Sequence, residues 1–307
     1  MKHIAAIDIG SNASRLLIKE TESMSGRYVP QVRNELDYFV RTPLRLGLDV
    51  YTERVISPEK ERQLAETLLQ YRQIMDRYHT AAYRACATAS LRDALNGAEV
   101  ARRVSLQSGV CVEIISGREE AALSRMSYFA QYPDDDESYR LFADVGGGST
   151  DVCLCHHREE LFVHSFQIGS MRMMSGRQDE AELRLLDETL RRLSEQYAPI
   201  QVIGSGGSIH KICELYFMPE LPETVAVSSI QQLYDELQPL SIEERMQRYH
   251  LKRDRAEIIV AAAGIFLRMA RLVHATTLRA PRIGVRDGLI ASPVSYTHLT
   301  LPTICSV

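Results

Sequence analysis

Asp8-Ile9-Gly10-Ser11-Asn12 closes a short apolar run near the start of the chain, and Asp144-Val145-Gly146-Gly147-Gly148-Ser149-Thr150-Asp151 closes another in its second half. Each reads as a buried strand that delivers an aspartate into a glycine-rich turn and continues as a second strand. Glycine lets backbone N–H groups crowd onto an anion, Ser, Thr and Asn add donors, and an aspartate can hold a divalent cation beside it. One such loop is a weak signal. Two of them in a chain of 307 residues point to a duplicated fold that holds a phosphate chain from both sides. A third glycine-rich stretch, Gly204-Ser205-Gly206-Gly207-Ser208, comes after an apolar strand and opens a helix.

The elements that must position these loops are set by periodicity. Residues 4–8 and 14–20 read as strands, as do 28–32 and 38–45. Ser57-Pro58 starts a helix expected to reach about Tyr78, with Leu64, Leu68, Tyr71 and Met75 on one face. A strand over 82–87, helices over 91–96 and 98–107, and a strand over 112–116 come next. Gly117 is expected to break the chain before a helix from about Glu119. The acidic run after Pro133 reads as a solvated boundary loop. Beyond it the pattern restarts with strands over 139–144, 151–155 and 161–168, a helix over 179–195 and a strand over 201–203. Two strand-rich openings, each succeeded by helix and strand in alternation, predict two related α/β domains with a cleft between them. We place the first at residues 1–125 and the second at 126–292. Residues 293–307 carry two prolines and no usable periodicity. They resemble vector read-through and are expected to be a non-native tail with no role in the fold.

Composition narrows the function. An apolar share of 45% with 25% charged residues belongs to a globular protein with sizeable cores. Net charge is −4, without the basic excess of general nucleic-acid or membrane-surface binders. No DNA or membrane partner is therefore expected. The first residues are too short and polar a run for a secretory signal, so a cytoplasmic location is expected. The apolar stretch 258–273 is interrupted by Arg268 and Arg271 and reads as a core helix. The six cysteines show no disulfide-framework spacing. Cys153-Leu154-Cys155-His156-His157 invites a zinc reading, but a second ligand pair at finger spacing is missing. The patch reads as buried thiols running into turn histidines.

With these motifs in hand the chain resembles the exopolyphosphatase / guanosine pentaphosphate phosphohydrolase family, a branch of the actin-like ATPase superfamily. The resemblance spans about residues 3–291 and rests on DIGSN at 8–12, ATASLRDA at 87–94, EIISGREEA at 113–121, DVGGGSTD at 144–151 and GSGGS at 204–208. SGREEA directly after a strand is the most specific of them. The resemblance is to the short, two-domain members, and it implies two actin-like (ribonuclease H-like) domains flanking a cleft.

It also implies roles. Glu120 aligns with the family's catalytic glutamate, which orients or deprotonates the attacking water. Glu119 suits the positive end of a helix. Asp8 and Asp144 would face one another across the cleft and hold Mg²⁺, with Asp151, often Glu in the family, as a third candidate. An aspartate that merely caps a turn is the competing reading for each. Phosphate donors would be the backbone and side chains of Gly10, Ser11, Asn12 and Ala13, and of Gly146, Gly147, Gly148, Ser149 and Thr150, together with Arg92. Arg15, Arg41 and Arg45 could extend a basic track. Residues 204–208 would line the cleft floor or contact a nucleotide.

The implied activity is Mg²⁺-dependent release of terminal phosphate from polyphosphate or guanosine pentaphosphate by direct water attack. A small-molecule kinase and a nucleotide-sensing protein remain the alternatives, and a homodimer is the default assembly.

Overall fold

The computed structural model describes residues 2–21, 38–132, 137–217, 222–292 and 297–298. Two compact units result: residues 1–132 with 285–307, and residues 133–284. The strand expected at 28–32 lies outside the described residues.

Unit 1 opens with β1 (Lys2–Ile9), β2 (Ala13–Thr21) and β3 (Tyr38–Pro43), then α1 (Leu46–Glu53) and α2 (Pro58–Arg77). Next come β4 (Thr80–Ala87), α3 (Ala89–Asp93), α4 (Gly97–Ser108), β5 (Val112–Ile114) and α5 (Gly117–Gln131). Helix α2 forms as its sequence demands. Ser57 Oγ accepts the Lys60 amide, Pro58 fills the first turn, and Leu64, Leu68, Tyr71 and Met75 are all buried. Helix α1 begins where the strand expected through Arg45 should have ended. Its start carries no sequence signal because Arg45, its N-cap, is left-handed (φ 57°) and makes no side-chain cap.

Unit 2 contains β6 (Tyr139–Val145), β7 (Thr150–His156), β8 (Glu159–Phe166), α6 (Ser170–Met174), α7 (Glu180–Tyr197), β9 (Ile200–Ser205) and α8 (Gly206–Phe217). It continues with β10 (Thr224–Ala226), α9 (Val227–Leu237), α10 (Ile242–Tyr249), α11 (Arg253–Ala256), α12 (Ile259–Leu272) and β11 (Thr277–Arg279). The chain then returns to unit 1 as α13 (Val285–Ala291) and β12 (Thr297–His298).

The two sheets repeat one plan. In unit 1 the order is β12-β4-β1-β2-β3 with β5 also paired to β4, and in unit 2 it is β11-β9-β6-β7-β8, with β10 added at the edge of the second. In both, the first three strands form an antiparallel meander and the fourth joins the first in parallel. Two related α/β units were expected from sequence, and the repeated strand order bears this out. Its consequence is local: each glycine-rich hairpin lies at the carboxyl ends of the parallel strands, where α/β sheets present ligand sites.

Three expectations need correction. The boundary at 125/126 would cut α5, which is continuous from Gly117 to Gln131 and begins at Gly117 rather than near Glu119. Residues 285–291, placed in the second domain from sequence, pack in unit 1. There Val285, Leu289 and Ile290 share a core with Ala6, Leu17, Cys86, Ile115 and Leu123. Within 293–307, Thr297 and His298 pair with Tyr83 and Ala82 of β4, so that segment does touch the sheet.

Gly288 makes the return of α13 possible. A Cβ there would lie 2.1 Å from the Leu123 carbonyl oxygen of α5. The obstacle is backbone and cannot swing away, so Gly288→Ala should lower stability by about 1–3 kcal/mol. Urea denaturation checks this; an unchanged midpoint would show that α13 does not dock on α5.

Candidate phosphate-binding and catalytic site

In unit 1 the turn after β1 is closed by Gly10 N–H donating to Ala13 O at 3.1 Å. The N-terminal end of α1 holds the turn from behind: Gly47 N–H donates to Ser11 O (2.9 Å) and Arg45 N–H to Asn12 O (3.0 Å). In a trans peptide the N–H points opposite to the carbonyl before it, so the Asn12 and Ala13 amides face away from α1. The Ser11 hydroxyl shares a 3.0 Å hydrogen bond with the Tyr51 hydroxyl.

The loop of unit 2 is built alike. Gly146 N–H donates to Ser149 O at 2.9 Å. From α6, Ser170 N–H donates to Gly146 O (3.0 Å), Met171 N–H to Gly147 O (2.8 Å) and Arg172 Nε to Gly148 O (2.9 Å). The amides of Gly147, Gly148 and Ser149 are thereby turned away from α6, as a nest for an anion requires. Both α1 and α6 come directly after the third strand of their meander, and neither was read from sequence. Thr150 departs from the expected donor set, because its buried hydroxyl donates to Ile168 O at 2.7 Å.

The aspartates differ between units. Asp8 lies directly across the hairpin from Arg15, whose guanidinium donates to it at 2.6 Å, and Arg15 in turn lies opposite Arg41. Arg15 therefore serves as the partner of Asp8. In unit 2 the equivalent pair is Asp144 opposite Asp151, two carboxylates on one sheet face. Like charges so placed weaken a hairpin, and a divalent cation between them removes that cost. Asp144 also accepts from Ser205 Oγ at 2.8 Å and abuts Gly206, where a Cβ would lie 2.6 Å from its Oδ1. This set of hard oxygens fits Mg²⁺.

Of the third glycine run, Ser205 and Gly206 (φ +85°) adjoin Asp144, and Ser208 is buried in the first turn of α8 with Gly207 before it. Gly204 does not line a ligand surface: a Cβ there would meet Ile209, Leu278 and Phe266 within 3.2 Å, so its role is core packing.

Glu120 and Arg92 come together at the same edge of the unit 1 sheet as the first loop. Ile9, Ala87 and Ile114 stand in register at the ends of β1, β4 and β5. Short α3 carries Arg92 away from β4, and α5 starts just after β5, capped by Ser116 Oγ accepting the Glu119 amide. Arg92 Nη1 donates to Ile115 O (3.0 Å) and to Glu120 Oε2 (3.3 Å). Glu120 is nearly buried in the first turn of α5.

Arg84 was missed from sequence, hidden in an apolar strand. It is buried, and it donates to Glu113 at 2.9 Å and Glu119 at 2.6 Å. Burial opposes its charge, but the hydrogen bonds to Glu113 and Glu119 outweigh it and raise its pKa. Glu119 is thus the anchor of the α5 first turn, and Glu120 is the carboxylate beside Arg92.

Among the described residues the cysteines lie away from the glycine loops' donor atoms or deep in the sheets. Cys86, Cys153, Cys155 and Cys213 are buried. Burial pushes the Cys86 thiol up to about 12 and that of Cys213 up to about 11. Cys111 is disulfide-bonded, which the cysteine spacing did not foretell. Among the described residues no helix is long and apolar enough to cross a membrane.

Two sheets of one order, each with a glycine-rich hairpin at the carboxyl ends of its strands, define a chain of the actin-like class. A profile of the Ppx/GppA phosphatase family matches residues 40–297, and the chain belongs to that family. It is 23% identical to the guanosine-5'-triphosphate,3'-diphosphate pyrophosphatase of Vibrio parahaemolyticus, over 99% of this chain and 62% of that one. The chain thus spans about three-fifths of the length of that curated relative. Among solved structures it is similar to the Aquifex aeolicus Ppx/GppA protein (TM-score 0.72, 25% identity, 94% of this chain and 96% of that one). It is also similar to an exopolyphosphatase from Cytophaga hutchinsonii (TM-score 0.79, 20% identity, 94% of this chain and 96% of that one).

Proposed function

We propose that the protein is a Mg²⁺-dependent phosphohydrolase that releases terminal phosphate from inorganic polyphosphate or guanosine pentaphosphate by direct attack of water. The observation that carries this reading is the pairing of Arg92 with Glu120 at the first turn of α5. Hydrolysis of a phosphoanhydride needs an oriented water and neutralised phosphoryl oxygens. Glu120 supplies a carboxylate that can accept the water's proton, and the hydrogen bond from Arg92 fixes its position. Arg92, with its planar fork, suits the phosphoryl oxygens. The outward-turned backbone amides of each glycine loop suit a phosphate group, without carrying mobile charge.

Asp144 and Asp151 would hold Mg²⁺, which when bound neutralises charge on the phosphate oxygens. The names borne by the Vibrio and Cytophaga relatives support these two substrate classes.

The test is phosphate release from long polyphosphate, short polyphosphate, guanosine pentaphosphate and ATP in parallel, with and without Mg²⁺. Release from one of the first three, lost with chelator, is expected. Transfer to a sugar acceptor instead would identify a kinase. Asp144→Asn, which removes one charge of the opposed pair, should shift the Mg²⁺ dependence upward by about 10-fold or more, since metal affinity tracks ligand charge. An unaltered Mg²⁺ titration in that variant would remove Asp144 from the metal set.

A further inference from the structure

We propose that Glu137, His156 and His157 form a binding site for a zinc-class transition metal ion, at the end of the unit 2 sheet remote from its glycine loop. Strand β7 starts at Thr150 beside the glycine loop and ends at His156, six residues on, or about 20 Å away. In a continuing strand the side chains of His156 and His157 would point to opposite faces. His157 instead adopts the left-handed conformation (φ 51°) in the β7–β8 turn, and the two imidazole rings come to 4.5 Å between centroids. The third group arrives from across the ladder. His156 pairs with Tyr139, the first residue of β6, so Glu137 just before that strand is carried alongside.

The spacing is that of ligands rather than of hydrogen bonds. Glu137 Oε2 lies 3.6 Å from His156 Nε2 and 3.4 Å from His157 Nε2. Tetrahedral ligands at about 2.0–2.1 Å from zinc stand about 3.3–3.4 Å apart. All three ligand atoms lie within 4.8 Å of one another. Two imidazoles and one carboxylate form a borderline-soft set that suits Zn²⁺, Ni²⁺ or Cu²⁺, unlike the all-oxygen set at the glycine loop. The site is preorganised on one side. The Tyr139 ring packs on His156 at 4.7 Å, and Tyr197 packs on Tyr139 at 5.2 Å. The other side is open, with His156, His157 and Glu137 side chains 33%, 43% and 87% exposed, so an ion can enter and keep a water ligand.

The neighbouring cysteines take no part. Cys153 and Cys155 are buried with their Sγ atoms 3.6 Å apart. The sequence patch therefore splits into a thiol pair inside the sheet and a histidine pair at its end. A bound ion would tie the start of β6 to the β7–β8 turn.

The experiment is calorimetric titration of the metal-stripped full chain with Zn²⁺ in a large excess of Mg²⁺, which keeps zinc off the aspartates, paired with visible spectra of the Co²⁺ form. One Zn²⁺ at micromolar affinity, with intense four- or five-coordinate Co²⁺ bands, is expected. His156→Gln and His157→Asn, the latter tolerant of the left-handed backbone, should each weaken binding at least 10-fold, and Glu137→Gln should weaken it less. Circular dichroism of each variant confirms folding, and phosphate release should be unaffected. Zinc affinity unchanged in His157→Asn, binding no tighter than millimolar, or a weak octahedral Co²⁺ spectrum would each overturn the assignment.

Discussion

Glu120→Gln should leave the fold and phosphate binding intact while lowering turnover by about 10²–10⁴-fold, the span of a positioned acid/base group. The substitution keeps volume and the hydrogen bond that Arg92 donates at 3.3 Å, because an amide oxygen can replace the carboxylate oxygen. What it removes is the charge and the capacity to take a proton. Glu119→Gln provides the contrast, since Glu119 is turned onto Arg84 and its loss should act through stability. Turnover and KM measured for both variants decide the matter. Near-normal turnover in Glu120→Gln, or an equal fall in the two, would refute the assignment.

Gly169→Ala should raise KM for a phosphate-chain substrate by about 10–100-fold, because displacements near 1 Å in a binding loop carry costs of that order. Gly169 has an extended backbone (φ −148°) that alanine adopts freely, so the effect is steric alone. A Cβ there would stand 2.4 Å from Gly147 O and 2.5 Å from the carbonyl carbons of Gly147 and Gly148. The loop would have to leave the hydrogen bonds from α6 that orient its amides. Gly10→Ala is the milder counterpart, its Cβ 3.3 Å from Ala13 O. Steady-state kinetics and a urea midpoint separate loop displacement from global loss; an unchanged KM would mean the 146–149 loop does not hold the substrate.

The strands that carry the aspartates were legible because each is short, apolar and ended by glycine, signals that depend on neighbours in sequence. The start of α2 was legible for the same reason: Ser57 and Pro58 are a local cap. The misses share another cause. Helix α1 begins at a left-handed arginine without a capping side chain, and α6 is five residues long, too short for periodicity to register. The domain boundary failed because α13 is an ordinary amphipathic segment, and its pattern says that a face is buried without saying against which core.

By itself the sequence determined which residue types stand at the turns, and hence the chemistry available: glycine amides, aspartates, an arginine and a glutamate, with their family motifs. Only the tertiary structure decided the pairings. Asp8 meets an arginine where Asp144 meets a second aspartate, Thr150 spends its hydroxyl on Ile168, Arg84 claims Glu119, and Arg92 reaches Glu120. The reason is physical. Residue type and turn propensity are properties of a few adjacent positions, whereas strand register and helix docking join positions tens of residues apart through burial and excluded volume.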